Sequence, residues 1–213
     1  MKFGVIRFPG TCDDTDAQLA AARVAAAEIL WHGDTDLHGV DAVIVPGGFS
    51  YGDYLRAGAI ARFAPVMSSV IEFAREGGLV FGICNGFQIL CEAGLLPGAL
   101  LVNDQLKFVF RQVQLDVVAP ATPFTSHCPP QLSIPVKHTT GRYYSPVPVQ
   151  AVLKYAPGHN PNGSQDDIAG VVNEQGNVFG MMPHPEHAVD ELTGSTDGLR
   201  IFESIAAAVG VSV

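Results

Sequence analysis

The sequence lacks an excess of positive charge. Twelve Lys and Arg residues stand against twenty-one Asp and Glu residues, so the formal net charge is −9 at pH 7. Proteins that coat nucleic acid or anionic lipid need a basic surface, and a chain with this balance has little positive charge to supply one. The composition therefore argues against a partner of either kind.

Paired cysteines and long apolar segments are also missing. The four cysteines are irregularly spaced without any C-x-x-C pair, so neither a zinc cage nor a disulfide framework is indicated. The uncharged stretch 77–91 is too short, and too interrupted by Asn85, Gln88 and glycines, to span a bilayer. The first residues have the pattern of a strand and not of a signal peptide. We expect a soluble protein of a reducing cytoplasm.

The first half of the 213 residues alternates short apolar segments with segments of helical period. This alternation predicts an α/β fold, with an open, mostly parallel sheet flanked by helices. The predicted strands are residues 2–8, 42–45 and 79–83, and the predicted helices are 13–30, 55–75 (interrupted near Pro65) and 86–93.

The second half has little helical periodicity until its end. Residues 99–157 contain four candidate strands between proline-rich loops, which we interpret as an antiparallel extension of the same domain; they are 106–110, 113–118, 132–136 and 149–155. Residues 168–172 and 178–182 have the pattern of a hairpin. The segment 195–209 is amphipathic and predicts a final helix.

The pentapeptide Gly82-Ile83-Cys84-Asn85-Gly86 stands between a buried strand and a helix. This context matches the nucleophile elbow, in which flanking glycines allow a sharp turn that exposes the central side chain. A cysteine there lies at a helix N-terminus, where the dipole favours the thiolate. The alternative is a buried structural cysteine. Cys91 is expected in the core, and Cys12 and Cys128 have no comparable context.

A thiolate nucleophile needs a base and a group that orients the base, and Pro183-His184-Pro185-Glu186 supplies both. The two prolines impose an extended loop, so His184 and Glu186 should point in the same direction. The alternative is a capping loop with solvated polar residues. A metal site at His184 and His187 is not expected, because the prolines prevent a helical pair and no third ligand is evident.

Pro46-Gly47-Gly48-Phe49 follows another buried strand, at the edge where open α/β sheets bind ligands. Adjacent glycines expose backbone amides that can stabilise an oxyanion, although an ordinary strand-ending turn would have the same composition. The nucleotide-binding pattern G-x-x-x-x-G-K-[ST] is absent, so no ATP loop is predicted in this chain.

Three longer motifs contain these residues: G-I-C-N-G-F-Q, P-G-G-F-S-Y-G-D-Y-L-R and G-M-M-P-H-P-E. They resemble the class I (triad-type) glutamine amidotransferases, whose fold is flavodoxin-like. Within that family the sequence is most similar to the glutaminase subunits of phosphoribosylformylglycinamidine synthase, and segments 160–164, 167–170 and 194–198 are also typical of them. The resemblance extends from residue 1 to about residue 209. We therefore expect one amidotransferase domain over residues 1–213.

The resemblance assigns roles to six residues: Cys84 as nucleophile, His184 and Glu186 as its triad partners, the backbone amides of Gly48 and Asn85 as oxyanion hole, and Gln88 as a contact of the glutamine backbone. It implies no cofactor in this chain. It also implies a large synthetase subunit that uses ATP and Mg, together with a small accessory subunit of the same complex.

One segment departs from the family pattern. Where relatives usually have H-G-E-G, this sequence has His138-Thr139-Thr140-Gly141, in a loop expected to contact the amino-acid end of the substrate or the partner. Two other functions remain open. A cysteine peptidase or hydrolase of the PfpI type would usually place His directly after the elbow cysteine, where this chain has Asn85. An inert regulatory subunit would be favoured by loss of a triad residue, and all three are present.

Overall fold

The computed structural model describes residues 1–211, in which eleven strands and four α-helices are assigned. The strands are β1 (Lys2–Arg7), β2 (Ala26–Trp31), β3 (Ala42–Val45), β4 (Leu79–Ile83), β5 (Ala99–Leu101), β6 (Val109–Val117), β7 (Gln131–His138), β8 (Arg142–Tyr144), β9 (Gln150–Tyr155), β10 (Ile168–Val172) and β11 (Val178–Met181). The helices are α1 (Asp14–Ala21), α2 (Pro65–Arg75), α3 (Asn85–Glu92) and α4 (Leu199–Ala208).

Nine strands form one mixed sheet in the order β2-β1-β3-β4-β11-β10-β9-β6-β7. The five strands from β2 to β11 pair in parallel. The four strands from β10 to β7 continue the sheet by antiparallel pairing, and β5 pairs with β8 separately. The predicted α/β fold with an antiparallel extension is confirmed, including the β10–β11 hairpin and the final helix.

The core is continuous across the junction between the two halves of the sheet. Phe81 of β4 stacks on Phe179 of β11 with ring centroids 5.4 Å apart, and Phe124 and Phe202 pack against the same pair. All four rings are buried. The parallel strands β3 and β4 are buried along their entire length, as their uninterrupted apolar sequences predict.

The prediction of one helix over residues 13–30 is wrong in its second half. Helix α1 ends at Ala21, and Ala26–Trp31 is instead an edge strand, β2, in register with all six residues of β1. Alanine favours helices only weakly, by a few tenths of a kcal/mol against most residues. Here the parallel ladder with β1 and the burial of Leu30 outweigh that preference.

Two further boundaries differ from the prediction. The helix expected over residues 55–75 begins only at Pro65, and residues 50–63 form turns and short 3₁₀ segments. The strands expected at 106–110 and 113–118 are one strand, Val109–Val117. Among the helices of residues 1–211, none has the length and apolar character needed to cross a membrane.

Candidate active site

Strand β4 and helix α3 meet at Cys84, which has φ 50° and ψ −104°. A side chain other than glycine rarely adopts this conformation, so the surrounding structure must hold it. The Cys84 amide donates to Met181 O at 2.8 Å, which fixes the turn against β11. Two residues on, a Cβ on Gly86 would lie 1.8 Å from Val45 O, so only glycine lets α3 pack this closely on β3. The elbow is therefore present as predicted, and the Cys84 side chain is 6% exposed.

His184 lies beyond the end of β11 and is fully buried. Its Nδ1 donates to Glu186 Oε1 at 2.5 Å, and its backbone amide donates to Pro135 O at 2.8 Å. Within residues 1–211, Nε2 of the same ring has no hydrogen-bond partner. His184 and Cys84 line one cleft, which encloses about 500 Å³ when the space open to solvent is counted. The imidazole is thus oriented by the carboxylate on one side and free on the other.

The charges around His184 favour its protonated form. Burial by itself would lower the pKa of this imidazole, but the Glu186 carboxylate and the Cys84 sulfur raise it above the ordinary value. The cleft therefore places a histidine whose protonated form is favoured in the same space as the Cys84 side chain, so the imidazole can supply a proton to a reacting group there.

The two amides that the sequence suggested as an oxyanion hole belong to Gly48 and Asn85. In the part of the chain that the structure describes, neither amide donates to a protein acceptor. Gly48 has φ +143°, and a Cβ there would lie 2.5 Å from Cys12 N. The chain therefore needs glycine at this position. Both amides remain available to a ligand, which is the requirement for an oxyanion hole.

The side chain of Asn85 connects the elbow to the loop after β3. Its Oδ1 accepts from Ser50 N at 3.1 Å, and its Nδ2 donates to Asp53 Oδ1 at 3.2 Å and to Gln88 Oε1 at 2.8 Å. Gln88 Nε2 in turn donates to Thr140 O at 2.5 Å. Gln88 lines the cleft, and after these bonds its amide retains one donor and one acceptor position for a ligand.

Sequence reasoning missed Asp13 and Lys137, which both line the cleft. From the sequence, Asp13 is only the first residue of the helix predicted over residues 13–30. It occupies the N-cap position, but its side chain makes no capping bond. Its carboxylate instead contacts Lys137 Nζ at 2.5 Å, His187 Nε2 at 3.3 Å and His184 Nδ1 at 3.7 Å. No local sequence pattern marks this contact, because the partners come from β7 and from the segment after β11.

The pKa values of this pair reflect the contact. Burial would raise the pKa of Asp13, but the bonds from His187 and Lys137 and the charge of His184 hold it well below its usual range. Burial would lower the pKa of Lys137, but Asp13 raises it. Both side chains are therefore charged near neutral pH.

Two further potential metal ligands, whose proximity the sequence did not indicate, lie beside His184 and His187. Asp13 and Glu186 join them, and one ligand atom from each of the four residues lies within 4.8 Å of the others. These atoms already bond to one another, and the Lys137 ammonium contacts Asp13. The cluster is thus held together by its own hydrogen bonds and by the positive charge of Lys137. That the protein works without a metal stays a prediction.

The other three cysteines differ in their surroundings. Burial raises the pKa of Cys91, and burial raises that of Cys128 to about 12, so neither thiol ionises readily. Cys12 is exposed and lines the cleft, a position that the sequence did not indicate. Partial burial of its sulfur and the charge of Asp13 nevertheless raise the pKa of Cys12.

The divergent segment after β7 forms one wall of the cleft. His138 is buried between Asn103 and Asn162, at 3.1 Å and 3.4 Å, and burial lowers its pKa to about 4. A Cβ on Gly141 would lie 2.4 Å from the His138 ring, so glycine is required there. His138, Thr139 and Thr140 line the cleft, and the loop is therefore well placed to touch a bound substrate.

Comparison with known families agrees with this fold and site. Residues 1–203 match the model of the CobB/CobQ-like glutamine amidotransferase domain. A match over this much of the chain shows that it belongs to that family, a class that the mixed sheet and the cysteine elbow also fit.

The similar proteins narrow the class further. The chain is 56% identical to the phosphoribosylformylglycinamidine synthase subunit PurQ of Mycolicibacterium paratuberculosis, over 96% of each chain. It is 54% identical to the subunit of the same name from Rubrobacter xylanophilus, over 99% of this chain and 100% of the other. A chain in the structure of PurLQS from Thermotoga maritima superposes with a TM-score of 0.93 at 43% identity, over 98% of each. Within its class the chain is thus a member of the PurQ family, and the resemblance drawn from its motifs is confirmed.

Proposed function

We propose that this chain hydrolyses glutamine to glutamate and ammonia with Cys84 as nucleophile, and that a synthetase partner uses the ammonia. One observation carries the proposal. A buried cysteine at a strained strand–helix turn shares a cleft with a fully buried histidine, whose Nδ1 is bound by Glu186 while Nε2 is free. This is the arrangement of a nucleophile, a general acid–base and an orienting carboxylate.

In the first half of the reaction, the Cys84 thiolate attacks the side-chain amide carbon of glutamine. The carbonyl oxygen becomes an oxyanion, which the Gly48 and Asn85 amides stabilise; each such donor is worth about 3 kcal/mol in the transition state. The imidazolium of His184 gives its proton to the leaving nitrogen. The carbon–nitrogen bond breaks, ammonia departs, and a thioester on Cys84 remains.

In the second half, water hydrolyses the thioester. Neutral His184 takes a proton from the attacking water, and the same two amides stabilise the second oxyanion. Collapse of this intermediate releases glutamate and restores the thiolate and the imidazolium. Glu186 fixes the tautomer and orientation of the ring throughout, so that Nε2 faces the reacting groups.

The partner follows from the relatives, which carry the name of one subunit of phosphoribosylformylglycinamidine synthase. We assign to a large synthetase subunit the ATP- and Mg-dependent conversion of formylglycinamide ribonucleotide to its amidine, in purine biosynthesis. A small accessory subunit completes the complex, as the three letters of the name PurLQS suggest for the similar structure. All 213 residues act as one amidotransferase domain in the cytoplasm, and this chain needs no cofactor of its own.

Two surfaces beside the cleft are suited to meet this partner. In the Tyr51–Arg56 segment, Tyr54 is 74% exposed and Leu55 is 89% exposed. Phe49 and Phe108, which line the cleft, are also exposed. A cluster of exposed apolar side chains marks an interaction surface more often than a single exposed apolar residue does. The second surface is the loop His138–Arg142. Ammonia that passes directly from the cleft to the partner avoids protonation in solvent.

The experiment compares glutamine-dependent and ammonia-dependent synthesis by the assembled complex. Cys84→Ala should abolish the first and leave the second intact, because the synthetase reaction lies on another chain. Cys128→Ala is the control, since this thiol lies outside the cleft and should be dispensable. A glutamine-analogue electrophile should label Cys84 alone. Label on Cys12, Cys91 or Cys128 instead would show that the nucleophile is misassigned.

A further inference from the structure

Asp53 lines the cleft together with Cys84 and Gln88. Its Oδ1 accepts from Asn85 Nδ2 at 3.2 Å. Asn85 is the first residue of α3 after the elbow, so one carboxylate oxygen of Asp53 is bonded to the side chain of the residue whose backbone amide we assign to the oxyanion hole. Asp53 has no part in the proposed triad chemistry.

The charge of Asp53 is not balanced by the protein. Two other acidic groups at the cleft have partners that can carry a positive charge, since Asp13 contacts Lys137 and Glu186 contacts His184. For Asp53, the described residues 1–211 provide no Lys, Arg or His side chain within salt-bridge distance. Partial burial raises its pKa, although hydrogen bonds from two neutral groups, the Asn85 side chain and the Gly58 backbone, act in the opposite direction. A carboxylate in this position is stabilised by any cation that enters the cleft.

The backbone is held so as to present this side chain. Asp53 has φ 52° and Tyr51 has φ 53°, both in the left-handed region that residues other than glycine seldom occupy. The Asn85 side chain stabilises this conformation by bonding both Ser50 N and Asp53 Oδ1. Such strain persists only where surrounding contacts maintain it, and it clusters at ligand-binding positions.

We propose that Asp53 binds the α-ammonium group of the glutamine substrate and thereby selects an amino-acid amide over a simple amide. The inference rests on the proposed function, since that function places the amide end of glutamine at Cys84. The ammonium is the one positive charge of the substrate. Gln88, which also lines the cleft, retains one hydrogen-bond donor and one acceptor position for the neighbouring backbone atoms of the ligand.

The test is Asp53→Asn in the assembled complex. Asparagine keeps the oxygen that accepts from Asn85 and tolerates a left-handed φ, so the variant removes the charge and little else. We expect kcat/KM for glutamine to fall by about 10- to 100-fold, mainly through KM, the range of a hydrogen bond to a charged group. Glutaric acid monoamide, which is glutamine without its amine, should be a poor substrate and a weak competitive inhibitor of both proteins, with the same constants. Asp34→Asn is the control, since it removes an exposed charge away from the cleft.

The outcomes separate this inference from the proposed function. An equal loss on glutamine and on the monoamide would assign Asp53 a structural role and overturn the inference, as would an unchanged KM for glutamine. Ammonia-dependent synthesis should remain at the wild-type rate, which shows that the complex is intact. If the wild-type complex failed to hydrolyse glutamine, the proposed function itself would be refuted and the inference with it.

Discussion

Asp13 Oδ1 accepts a hydrogen bond from Lys137 Nζ at 2.5 Å, although the two residues are 124 positions apart in the sequence. The other oxygen of Asp13 lies 3.7 Å from His184 Nδ1, so this ion pair adjoins the triad. His184 is thus flanked by the carboxylates of Glu186 and Asp13, and the Lys137 ammonium offsets part of their negative charge. The ion pair joins the start of α1 to the end of β7 at the wall of the cleft.

The triad predicts unequal effects for its two supporting residues. His184→Ala removes the general acid and base, so glutamine hydrolysis should fall by about 10²- to 10⁴-fold. Glu186→Gln should cost less, because an amide can still hold the ring while losing the charge that stabilises the imidazolium. The measurement is steady-state glutamate release by the complex, with ammonia-dependent synthesis as the control. A wild-type rate in the His184 variant would show that His184 is not the general acid and base, and the triad assignment would be wrong.

The Asp13–Lys137 pair predicts a pH-dependent loss of stability in Asp13→Asn. The folded pKa of Asp13 lies below its ordinary value of 3.8, so its contribution is complete above about pH 4 and is lost as the pH falls through the folded pKa. Folding raises the pKa of Lys137 above its ordinary value of 10.5, so the contribution of Lys137 to stability is complete below about pH 10.5. At pH 7 the variant should be less stable by about 1.5–3 kcal/mol, the range for a hydrogen bond to a charged group.

Urea unfolding at pH 7 and at several lower values checks this expectation. The difference between wild type and variant should be constant from pH 7 to about 4 and should shrink below that, as Asp13 becomes protonated in the folded protein. A difference that grew on acidification would show that the contact between Asp13 and Lys137 does not stabilise the charged carboxylate. Asp34→Asn serves as the control for loss of one surface charge.

Gly47 packs against the acidic side of the site. A Cβ there would lie 2.5 Å from Asp13 Oδ2 and 2.8 Å from His184 Cε1, both on buried side chains. Gly47→Ala should therefore displace the imidazole, and a shift of about 1 Å in a catalytic group can cost about 100-fold in rate. Gly94→Ala is the matched control: nothing lies within 4 Å of its Cβ, and its φ of +71° costs about 1 kcal/mol of stability without touching the site. Equal kcat in both variants would contradict the assignment of His184.

The isolated chain should be a poor glutaminase until it is docked. We expect the synthetase, with its nucleotide and substrate, to raise the rate about 100-fold, which corresponds to about 2.7 kcal/mol and lies within the usual range of coupling energies. We expect the partner to fix the conformation of the segment Gly47–Gly52. This segment contains Gly48, which supplies an oxyanion amide, and Tyr51 and Gly52 within it have left-handed φ values. The measurement is the steady-state rate of glutamine hydrolysis by the isolated chain, compared with the rate of the complex. Equal rates would mean that the site is already organised without the partner.

Local sequence patterns located those elements whose geometry depends on neighbouring residues. The extended loop expected from the prolines around His184 is wrong, since Pro185–His187 forms a 3₁₀ turn. The expected contact between the His184 and Glu186 side chains is nevertheless present, because the two residues are only two positions apart. Strands β3 and β4 were identified because an uninterrupted apolar run suits a strand buried on both faces. Strand β2 was taken for helix, since an alanine-rich segment carries no local sign of the partner strand that pairs with it.

The sequence by itself determined the class of protein, the elbow at Cys84 and the contact between His184 and Glu186, because the elbow and the contact each depend on residues close together in the chain. Only the tertiary structure decided that Asp13 and Lys137 meet beside the triad, and that the Asn85 side chain holds Asp53 at the cleft. The physical reason is that these contacts join segments far apart in the chain. Their side-chain directions follow from the packing of the sheet and not from any pattern that a single segment carries.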